Sequence, residues 1–349
     1  MRIGTLFSGI GAPEQGAMRV YDIKHTFACE CDKFARQSFL ANYDIDEAHF
    51  HKDIYDMDGA QYLGKVDVLV GGSPCQAFSV AGLRKGLNDK RGELIYEYIR
   101  IVDEVKAPII VYENVKGMLS IDKGRTIKAF VQALRDIGYH CHYSVLNSKD
   151  YGVPQNRERL FLVGFLDVEH YHAFSFAPKV KLMKRLRDVL ESEVDEKYYI
   201  NRPLLDYDSQ ANTLHDTEKE APTICAGTHG YAFGYIQDGV VGMLDMSGHD
   251  CIRRVYGIDG LSPTIPTGAG GNHEPKIQNK DRIRKLTPRE CLRLQDFPDT
   301  FKQVVSDSQM YKQAGNSMTV AVLEMIFIQI VKAKNGESNG LFGISAGVT

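Results

Sequence analysis

The sequence predicts an α/β fold: a doubly wound, mixed sheet followed by a second, smaller and irregular β-rich domain. Three observations point there. Short apolar runs at residues 3–7, 26–29, 66–70 and 109–112 alternate with helical stretches, the pattern of a parallel sheet covered on both faces. Two later runs, 140–146 and 160–165, are joined by about a dozen residues that include Gly152 and Pro154. That is short for a helical crossover, so an antiparallel hairpin is expected. From Pro178 to about Pro298 the chain becomes rich in Gly, Pro, Thr and isolated Tyr, with few long periodic runs.

Each element has its own signal. Leu94, Tyr98, Ile101, Val102 and Val105 recur at helical spacing, and Val320, Leu323, Phe327, Ile330 and Val331 share one face of a late helix. Ala221-Pro222-Thr223-Ile224 and Ser262-Pro263-Thr264-Ile265 look alike but are too short to call a repeat. The expected division is a first domain over 1–178, a second over 179–303, a helix over 304–335 that returns to the first, and a loose tail over 336–349.

Composition narrows the class. With 349 residues, 42 basic and 45 acidic, the net charge is 42 − 45 = −3, and 43% hydrophobic with 25% charged residues suits a globular chain. The longest apolar run, 320–331, is broken by Glu324 and Gln329 and falls short of the roughly 20 residues of a membrane span. The opening strand reaches a turn at Ser8-Gly9, too soon for a secretory apolar core. A cytoplasmic protein without a membrane partner is expected. Seven cysteines without a CxxC pair support neither a disulfide framework nor a zinc site, so no metal is expected. Two basic clusters stand out: Lys179, Lys181, Lys184, Arg185 and Arg187, and then Arg282, Arg284, Lys285, Arg289 and Arg293. Each is by itself a solvated face or a phosphate track.

Three loops lie at the carboxyl ends of predicted parallel strands, the edge where open α/β sheets bind ligands. Phe7-Ser8-Gly9-Ile10-Gly11 follows the first strand; it is a tight turn or a close backbone approach to a ligand. Position 14 is Glu, so the dinucleotide fingerprint GxGxxG is not met. Glu30 ends the second strand, where an acid can bind ribose hydroxyls. Gly71-Gly72-Ser73-Pro74-Cys75-Gln76 follows the third and presents a cysteine on a Gly/Pro loop, a candidate nucleophile rather than an inert buried thiol. Glu113-Asn114-Val115 ends the next strand; a partly buried carboxyl there can act as an acid toward a ring nitrogen. Gln155-Asn156-Arg157-Glu158-Arg159 precedes the hairpin's return strand. If that strand is antiparallel, Arg157 and Arg159 converge on Cys75 and Glu113. Such a set suits an electron-poor ring that is attacked, protonated and held.

These residues resemble the DNA (cytosine-5)-methyltransferases of bacterial restriction–modification systems. The matching segments, in order, are Phe7-Ser8-Gly9-Ile10-Gly11, Glu30, Asp53-Ile54, Gly72-Ser73-Pro74-Cys75-Gln76-Ala77-Phe78-Ser79, Arg91-Gly92-Glu93-Leu94, Glu113-Asn114-Val115 and Gln155-Asn156-Arg157-Glu158-Arg159. Late in the chain come Arg284-Lys285-Leu286-Thr287-Pro288-Arg289-Glu290, Arg293-Leu294-Gln295-Asp296-Phe297-Pro298 and Gln313-Ala314-Gly315-Asn316-Ser317. The ordered set spans about residues 1 to 325.

The resemblance implies a Rossmann-like, S-adenosylmethionine-dependent catalytic domain and a target-recognition domain over about 179–298. It implies a cofactor pocket lined by Phe7, Gly9, Gly11, Glu30, Asp53, Ile54, Pro74, Leu94, Asn316 and Ser317. Cys75 would attack C6 of cytosine and Glu113 would bind N3 and the exocyclic amine; Arg159 would hold O2, and Arg157 would order the site. The substrate would be duplex DNA with the target base flipped out, and the basic clusters would hold phosphates. A monomer is expected, with a cognate restriction endonuclease as a possible partner. One departure is Cys31, where relatives often carry Trp; this chain has no Trp, so what packs on the adenine stays open. The competing readings are a transfer-RNA cytosine methyltransferase, a DNA-binding homologue without catalysis, and a nicotinamide oxidoreductase, the last disfavoured by the failed glycine fingerprint.

Overall fold

Seven strands form one sheet in the computed structural model, which describes residues 1–74, 93–205, 240–247, 250–266, 273–279 and 282–337. They are β1 (Arg2–Leu6), β2 (Lys24–Cys29), β3 (Phe50–His51), β4 (Val68–Gly71), β5 (Ile109–Val115), β6 (His140–Asn147) and β7 (Glu158–Phe165), in the order β3-β2-β1-β4-β5-β7-β6. The five strands from β3 to β5 are parallel, and β7 runs antiparallel to both neighbours. The doubly wound mixed sheet and the antiparallel hairpin read from sequence are both present. β5 is longer than its apolar run suggested: pairing continues to Val115↔Arg159, so Glu113 stands inside the strand.

Strand residues alternate between two buried layers, as the period of a pleated strand requires. Ile109, Val111, Phe161 and Val163 face one layer, which holds the helices α1 (Ala12–Met18) and α2 (Lys33–Asn42). Ile110, Tyr112, Leu160 and Leu162 face the other, filled by α3 (Glu93–Val105) and α4 (Arg125–Asp136) through Tyr98, Val102, Phe130 and Leu134. After a short helix α5 (Val168–Ala173) the chain leaves this sheet.

A second, six-stranded sheet follows. Its strands are β8 (Tyr199–Ile200), β9 (Leu204–Leu205), β10 (Val240–Leu244), β11 (Arg254–Gly257, preceded by the single turn α6, Asp250–Arg253), β12 (Lys276–Asn279) and β13 (Arg282–Lys285), in the order β8-β13-β12-β11-β10-β9. Its separate core is small: Leu244, Val255 and Ile283. Short helices α7 (Pro288–Arg293) and α8 (Asp307–Asn316) lead to α9 (Val320–Lys334). Val320, Leu323, Phe327 and Ile330 of α9 are buried in the layer that holds α1. The approach is close, because a Cβ on Gly16 would stand 2.8 Å from Leu323 Cβ. Residues 307–334, long and apolar enough to cross a membrane by composition, are thus two helices, and α9 is a core helix.

The junction of β13 with α7 rests on a buried ion pair. Both Arg284 Nη atoms donate to Glu290 at 2.7 Å, with 1% and 0% of the two side chains exposed. Glu290 also accepts from the Thr287 and Glu191 backbone N–H groups at 2.8 Å, so its charge is matched on both oxygens. The other bases of this cluster are occupied too. Arg282 pairs with Glu196, Lys285 with Glu274 and Arg293 with Asp299, while Arg289 donates to the Phe301 carbonyl. Within the chain these charges are thus matched or bonded, and Arg284, being buried, is withdrawn from the surface. In the first cluster Lys179 pairs with Asp150 and Arg187 with Asp259. Lys181, Lys184 and Arg185 are exposed, and their side chains pair with no carboxylate among the described residues.

Removing one member of a buried pair leaves the other uncompensated, at a cost of about 3–5 kcal/mol. Arg284→Met should therefore lower the unfolding free energy measured in denaturant by about that much, and Arg284→Met with Glu290→Leu should recover most of the loss. A single mutant as stable as wild type would show that the junction does not depend on this pair.

Candidate active site

The first loop is shaped by its backbone. Phe7, Gly9 and Gly11 have φ of 54°, 57° and 85°, the left-handed region that costs a non-glycine residue roughly 1–2 kcal/mol. A Cβ on Gly11 would collide with the Tyr43 ring, and the Tyr43 hydroxyl donates to the Gly11 carbonyl at 2.7 Å. At Gly9 a Cβ would meet no described residue within 4 Å. Gly9 N–H donates to Glu30 Oε2 at 2.8 Å and Asp32 N–H to Glu30 Oε1 at 2.8 Å. The carboxylate at the end of β2 is thereby fixed beside the glycine loop. The neighbouring Asp53 is exposed, and Ile54 is buried with its carbonyl held by Arg100 of α3 at 2.7 Å. Leu94, half-buried, packs against the same layer as Ile54.

The loop after β4 is anchored from β5. Ser73 Oγ lies 2.7 Å from the Tyr112 hydroxyl; Asn114 Nδ2 donates to that hydroxyl at 2.8 Å and to the Ser73 carbonyl at 3.2 Å. Gly72 is needed for close approach: a Cβ there would stand 2.9 Å from the Glu113 carbonyl and 3.3 Å from Glu113 Oε2. Pro74 is exposed, and the candidate nucleophile Cys75 lies outside the described residues.

At the opposite strand, Arg159 Nε meets Glu113 Oε1 at 3.2 Å, with 18% and 14% of the side chains exposed. Burial pushes the Glu113 carboxyl above its usual value, while Arg157 and Arg159 pull it down. Arg157 lies close enough for its charge and that of Glu113 to act on each other, and it has further partners. Its Nη2 donates to the carbonyls of Gly315 and Ser317 at 3.0 and 2.8 Å, tying the arginine loop to the Gln313-Ala314-Gly315-Asn316-Ser317 turn. Ser317 is buried and Asn316 exposed. Arg157 is itself buried, its Nε and Nη1 unpartnered among the described residues. Burial and Arg159 press its guanidinium below the usual value, yet a delocalised guanidinium stays charged near neutral pH. No group of His, Cys, Asp and Glu suited to a metal occurs among the described residues.

The structure thus joins Gly9 with Glu30, Gly72 with Glu113, Glu113 with Arg159, and Arg157 with Ser317. Sequence reasoning missed Tyr112 and Ser73, whose bond has no motif of its own. It also missed Glu14, read only as a break in a glycine fingerprint.

Residues 1–332 match the family described as C-5 cytosine-specific DNA methylase. The chain belongs to that family. As a family member it is a DNA (cytosine-5) methyltransferase, and related proteins align along nearly all of it. It is 36% identical to the type II methyltransferase M.SsoII of Shigella sonnei, over 95% of this chain and 80% of that one. To the type II methyltransferase M.Bsp6I of Bacillus sp. strain RFL6 it is 34% identical, covering 95% and 99%. In fold it is similar to the S. pombe Dnmt2 methyltransferase, at a TM-score of 0.65 and 18% identity, covering 96% of this chain and 99% of that one.

Glu14 yields a prediction about the loop that follows β1 in this methyltransferase. It is 0% exposed; Oε1 accepts from Thr5 Oγ1 at 2.7 Å, and Oε2 has no partner among the described residues. Burial pushes it from an ordinary 4.5 up to about 7. Between those values the folded protein keeps a proton that the unfolded chain has lost, so stability is full below about 4.5 and falls as pH rises to about 7. At 1.36 kcal/mol per pH unit the loss reaches about 3 kcal/mol. Glu14→Gln, always neutral, should flatten this dependence between pH 5 and pH 8 in denaturant unfolding. An unchanged slope would mean that Glu14 is not the group that titrates.

Proposed function

We propose that the chain transfers a methyl group from S-adenosylmethionine to C5 of a cytosine within a specific duplex DNA sequence, with the base flipped out and covalently held by Cys75. The observation that carries this reading is the Glu113–Arg159 pair at the carboxyl edge of the sheet, beside Gly72. Cys75 follows Gly72 by three residues in sequence.

Cytosine C5 is too poor a nucleophile to take a methyl group unaided. In this proposal the Cys75 thiolate adds to C6 while Glu113, its carboxyl raised by burial, supplies a proton to N3, and Arg159 holds O2. The resulting enamine is nucleophilic at C5. After the methyl group is taken up, H5 leaves as a proton to solvent. The thiolate is then expelled from C6, N3 returns its proton to Glu113, and the ring is aromatic again. Arg157 acts one step back, fixing the turn that ends in Ser317. S-adenosylmethionine would supply an electrophilic methyl group, the sulfonium being left as a neutral thioether. Gly9 and the Glu30 carboxylate bonded to it support a fit to this group, the acid suiting ribose hydroxyls, and the family resemblance adds Phe7, Gly11, Asp53, Ile54, Pro74, Leu94, Asn316 and Ser317 as the lining. The second sheet and its connections, within 179–303, read the target sequence, and Lys181, Lys184 and Arg185 face the phosphates. The type II relatives favour a setting in which a restriction endonuclease reads the same site.

Duplex DNA with 5-fluorocytosine at the target tests the covalent route, because fluorine cannot leave C5 as a cation and elimination stalls. A denaturant-resistant adduct that needs S-adenosylmethionine for full yield is expected, with Cys75 in the linked peptide and none from Cys75→Ser. Absence of any adduct where ordinary DNA is methylated overturns the mechanism, and a preference for fluorinated RNA overturns the substrate. Specificity is tested by grafting residues 179–303 from a relative of different specificity. The recognised sequence should move with the graft, since base edges rather than phosphates carry sequence information; an active chimera with an unchanged pattern would contradict that.

A further inference from the structure

Ser262-Pro263-Thr264-Ile265 has no role in the chemistry above, and the similar Ala221-Pro222-Thr223-Ile224 lies outside the described residues. Downstream of β11 the chain leaves the second sheet and joins the first. Ser262 forms a parallel bridge with Gln155. Its N–H donates to the Pro154 carbonyl at 2.9 Å, and its carbonyl accepts from Asn156 N–H at 2.9 Å. Thr264 Oγ1 then donates to the Asn156 carbonyl at 2.8 Å. Ser262 and Gln155 are wholly buried.

The next residue along is Arg157, with its N–H on Asn147 Oδ1 at 3.1 Å and its guanidinium on Gly315 and Ser317. Two residues further, Arg159 meets Glu113. At its other end the same segment touches the exposed basic strip: Arg187 N–H donates to the Ile258 carbonyl at 2.8 Å and Leu186 N–H to the Gly260 carbonyl at 3.1 Å. A stretch of nine residues, 257–265, therefore contacts the second sheet, the basic strip and the arginine loop.

We propose that Ser262-Pro263-Thr264 is a positioning segment, resting on the functional reading above. DNA seated on the second sheet and the basic strip sets the arginine loop through it, so a correct target sequence raises the rate of methyl transfer more than it tightens binding. Thr264 is its accessible handle. It is exposed, and among the described residues its side chain makes one bond, to the backbone just before Arg157. A segment that only glued the two sheets together would affect stability and leave the rate alone.

Thr264→Val keeps the shape and removes that bond. Single-turnover methylation of the cognate duplex should slow about fivefold, the effect of one net hydrogen bond. The Kd values for DNA and for S-adenosylmethionine should stay within twofold, and Thr264→Ser should restore the rate. If Thr264 acts through Arg157, adding Thr264→Val to Arg157→Lys should produce no further loss. A wild-type rate in Thr264→Val, a loss confined to Tm or Kd, or effects that multiply in the double mutant each overturn the inference. A wild-type protein that methylates no cytosine in duplex DNA overturns the functional reading itself, a result the variants cannot mimic.

Discussion

The pairing of β7 against β5 is the constraint from which the site follows. In a sheet that is otherwise parallel around β5, a reversed neighbour brings the start of one strand to the end of the other. The register Glu113↔Phe161 and Val115↔Arg159 puts Glu113 and Arg159 on the same face, as diagonal neighbours whose long side chains can span roughly 7–8 Å. A slip of one residue would send Arg159 to the opposite face. The apolar residues make such a slip costly, since Phe161 and Val163 would trade layers with Leu160 and Leu162. Packing in the middle of the sheet thus fixes charge placement at its edge.

The same economy governs the turn between α8 and α9. Gln295 Nε2 donates to the Ala314 carbonyl at 2.8 Å, its Oε1 accepts from Thr319 Oγ1 at 2.9 Å, and its own carbonyl accepts from Val320 N–H at 2.9 Å. Ser148, at the end of β6, lies 2.8 Å from Thr319 Oγ1. A glutamine between the second sheet and the last helices therefore locks the Ser317 turn, which Arg157 grips from the other side. Buried polar groups that are this fully bonded rigidify a site.

Much of this was legible in the residues. Strands appear where apolar runs end in turns, and the hairpin was read from a connection too short to cross over. Arg157 and Arg159 stand at the start of β7 and Glu113 near the end of β5, places where position alone narrows the chemistry a residue can offer. Contacts between distant segments were not legible. The Tyr112–Ser73 bond joins residues 39 apart, and Gln155 meets Ser262 across a stretch with no periodicity. Charge runs hide such pairing too: Arg284 reads as one of a row of surface cations, yet it is buried against Glu290. Local pattern encodes faces and turns, while pairing across the fold depends on topology.

The close contact of Gly16 with Leu323 bears on how the molecule comes into being. The layer behind β1 is completed by the last described helix, so the opening strands wait for nearly the whole chain to be made. At about 5–20 residues per second, that delay is roughly 15–60 s. Until α9 emerges, Ile3, Val68 and Val111 lack part of their cover and offer an apolar surface that a chaperone or a neighbouring nascent chain can engage. Truncation before residue 320 would leave that surface bare for good, so a premature stop late in the reading frame is expected to cost the cell an aggregating chain rather than a slightly weakened enzyme.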